Sequence, residues 1–403
     1  MSSKPSADAQ LPRVLADVAC IACGCTCDDI ELTITANRIS EARRACPLGQ
    51  QWFLADRSSA GPACLVDGQP ADLATGIERA ARILAAARYP LVYGLRGATC
   101  EAQGLAASVA DWCGACLDTP TSAHHGPWGV SFQGVGEVTS SLGEVANRGD
   151  LILFWGVDPV TTHPRHLERY SVFPRGMFVP HGRDDRTIVV VDVTPTATSA
   201  LADVFIQVTP GSDFEALWTL RALAADRPVD EQSVTASTGV QLAVWRDLAQ
   251  RMKQARFGAV FFGAGLASTR GRHLNTEALL ALVRDLNAHT RFVAKSMRGA
   301  GNVTGADNVL AWRTGFSFGI NLSRGYPRFN PGEYTAGEVL ARGEADAVLL
   351  VQCHELEEFD AEAQARLRQV PRIVIDSQPQ LLAAGADVVF RTATAGIHAG
   401  GTV

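Results

Sequence analysis

The chain has 403 residues, 47% of them hydrophobic, enough for about two or three domains with cores of their own. Its net charge is −6 with no basic tail, so nucleic acid is not expected as a partner. It holds no run of about 18 apolar residues, so no membrane span is expected either.

Ten cysteines, five of them before residue 50, point to cytoplasmic metal or thiol chemistry rather than a disulfide framework. The first ten residues are polar and lack the apolar stretch of a signal peptide. Residues 1–19 read as a loose start, with a short element over Leu11 to Val18. Cys20, Cys23 and Cys27 then stand at intervals of three and four, Cys25 sits inside the same run, and Cys46 closes the group with Pro47 behind it. Thiolates are soft ligands, and such a cage suits zinc or an iron–sulfur cluster. Spacing alone does not choose between iron and zinc. The bland alternative, a small β domain whose cysteines merely pack, accounts less well for the clustering. Within the cage Ile30-Glu31-Leu32-Thr33-Ile34 alternates as a strand does.

Leu73 to Ala87 is alanine-rich and reads as a helix, Leu91 to Gly94 as a buried strand, and Glu101 to Asp111 as another helix. Leu151 to Gly156, Thr187 to Val193, Ala259 to Gly263, Ala347 to Val351 and Arg372 to Asp376 are apolar runs of the kind that form central parallel strands. Helical stretches separate them at Asp213–Ala225, Val240–Lys253, Leu274–Leu286 and Ala361–Leu367. The polar stretch Val229–Thr238 reads as a surface loop. Strands alternating with helices argue for parallel, doubly wound sheets, one of them over about 140–295. Gly263-Ala264-Gly265 follows a strand without the third glycine of a dinucleotide fingerprint. Asp192, at a strand end, suits either a nucleotide ribose or an ordinary strand-end cap.

The cysteine run Cys20 to Cys27, followed by Arg44-Ala45-Cys46-Pro47-Leu48-Gly49, resembles the start of the B subunit of formylmethanofuran dehydrogenase, a family of the molybdopterin oxidoreductase superfamily. The resemblance continues through Ser122-Ala123-His124-His125-Gly126-Pro127, Phe154-Trp155-Gly156, His163-Pro164-Arg165-His166, Met297-Arg298-Gly299, Asn302-Val303-Thr304-Gly305 and Ser323-Arg324-Gly325, and covers nearly the whole chain. It implies an α/β, molybdopterin-oxidoreductase-like fold. A small N-terminal Cys-rich β domain (1–57, completed by about 296–335) would precede two doubly wound, mostly parallel sheet domains (58–139 with 336–403, and 140–295). The resemblance makes Cys20, Cys23, Cys27 and Cys46 ligands of a [4Fe–4S] cluster, with zinc or an empty site as alternatives.

In the dehydrogenases that this chain resembles, a cysteine or selenocysteine binds molybdenum or tungsten, and a histidine follows it. Those positions here are His124 and His125. Imidazole cannot replace a soft thiolate without changing affinity and redox tuning. The family has a basic residue after the fourth cysteine, and Pro47-Leu48-Gly49-Gln50-Gln51 has none. An arginine expected after the strand-end acid is missing from Val193-Thr194-Pro195. The resemblance therefore implies a vestigial site at His124, His125 and Arg298, the last matching an arginine that holds a carboxylate-like substrate. It also implies a vestigial pterin cleft at Trp155, His163 and Asp192, with no catalytic residue and no molybdenum or tungsten pterin.

A related complex in aerobic methylotrophs, the formyltransferase/hydrolase complex, needs no redox step. It moves a formyl group from a tetrahydromethanopterin carrier to a methanofuran-like carrier and releases formate. The chain resembles the B subunit of that complex, a scaffold whose partners are an amidohydrolase-like A subunit, a C subunit and a formyltransferase D subunit. The alternative is a molybdenum- or tungsten-pterin dehydrogenase with His124 in place of the ligand cysteine.

Overall fold

The computed structural model describes residues 12–55, 61–353, 356 and 358–403, with only the backbone of His124 and Leu381. The boundary expected at 57/58 lies outside the described residues. The chain divides into two units, Met1–Ala123 with Gly299–Val403, and His124–Arg298.

The first unit begins with the antiparallel strands Arg13–Val18 (β1), Ile30–Thr35 (β2) and Arg38–Arg43 (β3), in the order β1-β2-β3. Ile30 and Leu32 are buried and alternate with half-buried Glu31 and Thr33, the period of two that the sequence shows. The β1–β2 connection carries the cysteine run, and Cys46 caps the helix Pro47–Leu54 that follows β3. Cys64–Val66 (β4), Gln69–Pro70 (β5), Pro90–Gly94 (β6) and Cys116–Asp118 (β7) come next and belong to a second, larger sheet.

The second unit is built on five parallel strands: Leu151–Trp155 (β8), Thr187–Asp192 (β9), Val204–Gln207 (β10), Phe257–Phe262 (β11) and Arg291–Ser296 (β12). Their order is β10-β9-β8-β11-β12. β8 and β11 are buried along their whole length, as central strands are when helices cover both faces. On one face Trp155 stacks on Trp245 with ring centroids 6.5 Å apart, and on the other Phe154 stacks on Phe261 at 5.5 Å. Each fully buried side chain of this size contributes roughly 1.5–3 kcal/mol relative to exposure. The strand order reverses between β8 and β11, whose carboxyl ends therefore mark the position where doubly wound sheets bind ligands.

One element corrects the sequence reading. Val229–Thr238, expected as a loop, contains the helix Glu231–Thr238. Asp230 accepts from Ser233 N at 2.7 Å, Gly239 ends the helix at φ 74°, and Val234 and Thr238 are buried. A capping aspartate and a left-handed terminal glycine outweigh the polar composition between them.

The first unit is completed by Ile320–Asn321 (β13), Arg328–Phe329 (β14), Ala347–Val351 (β15), Arg372–Asp376 (β16) and Val388–Arg391 (β17). They join β4–β7 in a nine-stranded sheet ordered β14-β13-β7-β6-β15-β16-β17-β4-β5. Parallel pairing of β6 with β15 places Leu91 beside Val348 and Tyr93 beside Leu350. Two segments far apart in the chain thus share one core.

Candidate functional site

The cysteine loop is closed by a hydrogen bond from Cys20 N to Cys27 O of 2.7 Å, and Thr26 turns it at φ 43°. Cys20, Cys23, Cys25 and Cys27 are buried, and Cys46 is half-buried. Cys46 Sγ accepts from Gly49 N at 3.5 Å. A Cβ added to Gly49 would lie 3.3 Å from Cys20 Sγ and 3.9 Å from Cys46 Sγ, so both sulfurs look onto the same spot above that glycine. Burial pushes the Cys20 thiol up to about 12, and the neighbouring Cys23, Cys27 and Cys46 add to the rise. Cys25 hydrogen-bonds to Cys23 and Cys27, which raises its own value and brings Cys23 down to about 7.

The donor chemistry fits a thiophilic metal or cluster, because five sulfurs gather where burial disfavours thiolates unless a cation accompanies them. The spacing is another matter. Among the described residues no group of three or more His, Cys, Asp or Glu side chains stands at metal-ligating geometry. The thiols here bond to one another, with Cys25 between two of the expected ligands.

The loop is tied to a motif from the far end of its own unit. Gly301 N donates to Ile21 O at 2.9 Å, and Asn302 N to Arg96 O at 2.6 Å. The Asn302 side-chain amide is buried and donates to Ala98 O at 3.1 Å, while the main-chain carbonyl of Asn302 accepts from Gln103 Nε2 at 3.0 Å. A Cβ on Gly305 would come 2.1 Å from Asn302 Oδ1, which accounts physically for the Asn302-Val303-Thr304-Gly305 spacing. A cleft of about 440 Å³ adjoins the loop, lined among others by Ile21, Leu48, Trp52, Arg96, Gly301 and Gln378.

Thr121–His124 is a short helix, and the second unit continues with the helix Gly126–Val135, which has buried His125 at its N-cap. The imidazole of His124 lies outside the described side chains. The Arg298 guanidinium stands over the Trp128 ring, 5.2 Å from its centroid. His163 is buried, and burial lowers its pKa. The ring is therefore neutral, and Nε2–H donates to Arg298 O at 2.8 Å while Nδ1 faces Thr162 Oγ1 at 2.8 Å. His163 thus holds the backbone of Arg298. His166 is fully enclosed, pushed down to about 3 chiefly by burial, and packs its ring edge-on to Phe261 at 4.6 Å. Trp155 is buried in the core, where Nε1 donates to Asp213 Oδ1 at 2.9 Å. Asp192 accepts from Val193 N at 2.7 Å at the end of β9, and burial raises its pKa.

Sequence reasoning missed a neighbour of Arg298. Burial pushes Glu137 up to about 7, against the pull of Lys295, Arg298 and the Trp128 indole. Lys295 is lowered by its own burial and donates to Ser140 O. No sequence signal links positions 137 and 295. β12 delivers the lysine, and the segment after the helix Gly126–Val135 runs along it, with Ala294 N donating to Val138 O at 2.9 Å.

Among the described residues no helix is long and apolar enough to cross a membrane. No family profile matches the chain. It is 38% identical over 397 residues to the B subunit of tungsten-containing formylmethanofuran dehydrogenase 2 from Methanocaldococcus jannaschii, covering 97% of this chain and 91% of that one. The Methanococcus maripaludis protein of the same name is 37% identical with the same coverage. The B subunit of the formyltransferase/hydrolase complex Fhc of Methylorubrum extorquens is 27% identical over 288 residues, covering 71% of this chain and 74% of that one. Among solved structures, a chain of the Methylorubrum extorquens FhcABCD complex with methylofuran superposes with a TM-score of 0.67. It is 26% identical, over 82% of this chain and 87% of that one. Acetylene hydratase from Pelobacter acetylenicus superposes with a TM-score of 0.63 at 12% identity, over 93% of this chain and 62% of that one, a likeness of fold alone. The fold, the ordered motifs and 38% identity along nearly the whole length place the chain in the family of formylmethanofuran dehydrogenase B subunits.

Proposed function

We propose that this chain is a non-redox B subunit, serving as scaffold in a complex of the formyltransferase/hydrolase kind. That complex passes a formyl group from tetrahydromethanopterin to a methanofuran-like carrier and releases formate. Its partners in this reading are an amidohydrolase-like A subunit, a C subunit and a formyltransferase D subunit, all cytoplasmic. What carries the reading is the resemblance, which sets His124, an imidazole, at the position expected to hold a metal-binding thiolate in the dehydrogenases. The engagement of His163 with Arg298 O and the enclosure of His166 support it, since both rings serve the fold.

Cys20, Cys23, Cys27 and Cys46 would hold a [4Fe–4S] cluster, with zinc the next choice and an empty site the third. The cluster would supply folding energy rather than electron transfer. In this reading residues 1–57, completed by about 296–335, are the cluster module, and His124, His125, Arg298, Trp155, His163 and Asp192 mark a disused site.

A specific observation favours a second reading. The identity to a tungsten-containing enzyme, 38%, exceeds that to the Fhc protein, 27%. A molybdenum- or tungsten-pterin dehydrogenase with His124 as the ligand remains the competitor. Metal and pterin analysis of the purified protein separates the two: stoichiometric tungsten or molybdenum with pterin supports the second reading and overturns the first.

A further inference from the structure

The run Cys23-Gly24-Cys25-Thr26-Cys27 carries one thiol more than a four-ligand cage uses. Cys20, Cys23, Cys27 and Cys46 make the four, and Cys25 is the fifth sulfur. Cys25 and Cys27 are each 4% exposed, and Cys25 hydrogen-bonds to Cys23 on one side and to Cys27 on the other. A thiol is a weak donor and a weak acceptor, so hydrogen bonding alone gives little reason to bury three of them together. The backbone sets Cys25 against Cys27. A fully extended residue would hold the Cα atoms on either side of it about 7 Å apart, beyond the roughly 4.4–6.8 Å that a disulfide spans. Thr26, at φ 43°, turns the chain instead, a conformation that β-branched residues rarely adopt. Cys20 N, donating to Cys27 O at 2.7 Å, pins the far end of the turn. Cys23 is engaged differently: its sulfur accepts from the backbone N–H of Cys25 as well as from the thiol, which draws it toward the main chain.

We propose that Cys25 and Cys27 are an oxidative modification site, coupled as a disulfide by a hydroperoxide while their sulfurs carry no metal. With hydrogen peroxide, the Cys25 sulfur attacks one oxygen. An S–O bond forms, the O–O bond breaks, and the departing hydroxide leaves as water with the thiol proton. The Cys27 sulfur then attacks the sulfenic sulfur of Cys25. The S–S bond forms, the S–O bond breaks, and a second water leaves with the Cys27 proton. Each sulfur gives up one electron, and the two peroxide oxygens are reduced to water. Ile21 and Ala22 of the same loop line the cleft of about 440 Å³, which brings an oxidant of that size to the flank of the loop. The consequence for the cage rests on the reading of Cys27 as a ligand. A sulfur in a disulfide is no longer the thiolate that binds metal, so the oxidised loop takes up neither iron nor zinc until a dithiol reduces it. Cys25 thereby shields a ligand sulfur from irreversible sulfinic oxidation.

The test uses the full chain, stripped of metal by a chelator under reducing conditions and then freed of reductant. Three forms are compared: wild type, Cys25→Ser, and the control Cys113→Ser at a half-buried thiol outside the loop. Circular dichroism establishes that each is folded, and Cys25→Ala takes the place of a serine variant that is not. After a pulse of hydrogen peroxide the proteins are denatured in acid, alkylated, digested and mapped by mass spectrometry. The wild type should lose two of its ten alkylatable thiols, placed by fragmentation at Cys25 and Cys27, and recover both with dithiothreitol; Cys113→Ser should behave alike. Cys25→Ser should form no linkage and carry sulfinic acid at Cys27 that the dithiol does not reverse. Full alkylation of the oxidised wild type, linkage of another pair, or sulfinic acid at Cys25 overturns the proposal. A Cys25→Ser chain whose Cys27 stays as recoverable as in the wild type overturns the shielding role. Iron and zinc uptake is then measured on oxidised and reduced wild type. Uptake that the disulfide abolishes is the expected result, and equal uptake in both states overturns the effect on the cage. A reduced wild type that binds neither metal overturns the cage reading itself and leaves the disulfide to the peptide masses.

Discussion

Gly49→Ala is the sharpest perturbation of the cysteine cage, because it leaves every thiol in place. The new methyl group would stand 3.3 Å from Cys20 Sγ, 3.3 Å from Ala45 Cβ and 3.9 Å from Cys46 Sγ. Contacts that tight need shifts of a few tenths of an ångström, and overpacking of this kind costs about 1–3 kcal/mol. Alanine in place of glycine in a helix contributes about 0.5–1 kcal/mol in the other direction. The difference leaves about 0–2.5 kcal/mol of net destabilisation, so the urea midpoint of the metal-free protein should fall modestly while the chain still folds. Metal retention should respond differently, since the methyl group fills the space onto which two ligand sulfurs look. Disturbing the surroundings of a metal site typically costs about 10–100-fold in affinity. Iron and acid-labile sulfide per chain, measured after anaerobic purification, should therefore fall sharply in a variant that still folds. A folded G49A protein with the wild-type iron content would refute the placement of a cluster between Cys20 and Cys46.

Three further outcomes are expected. Trp155→Phe removes the indole donor from buried Asp213, leaving its other oxygen with Thr269 Oγ1 at 3.0 Å. It should destabilise the chain by about 1–3 kcal/mol in urea titration, and an unchanged midpoint would mean that the bond contributes nothing. Glu137 is raised from an ordinary 4.5 to about 7, so the folded state keeps a proton across that window that the unfolded state releases, and stability falls as pH rises through it. The wild type should lose stability relative to E137Q between those pH values, and parallel stability–pH curves would contradict the burial argument. His124→Cys alone should give no formate oxidation, because the basic residues after Cys46 and Asp192 stay missing; measurable turnover by the single variant would contradict the reading of a disused site.

The central strands were legible because burial on both faces demands unbroken apolar runs, and β8, β9, β11, β15 and β16 all show them. β12 escaped notice because Lys295 interrupts its run, and β10 because four residues with a terminal glutamine carry little pattern. The pairing of β6 with β15 has no local signal, and only the family resemblance implied it. Glu231–Thr238 was readable from Asp230 and Gly239, whose capping geometry counts for more than average polarity. At the site, residue types were easier to read than roles. The family resemblance put His163 in a disused pterin cleft, and the structure gives its ring to Arg298 O, a contact that nothing in a linear pattern reveals. Glu137 and Lys295 meet only through the fold.

The central claim concerns what the chain holds with His124 at the position that the resemblance gives to a metal-binding thiolate. Elemental analysis of the anaerobically purified protein, with pterin assayed on the same sample, tests it most directly. The account predicts iron at about four per chain, as a [4Fe–4S] cluster requires, with neither tungsten nor molybdenum in stoichiometric amount and no pterin. Stoichiometric tungsten or molybdenum together with pterin would contradict it.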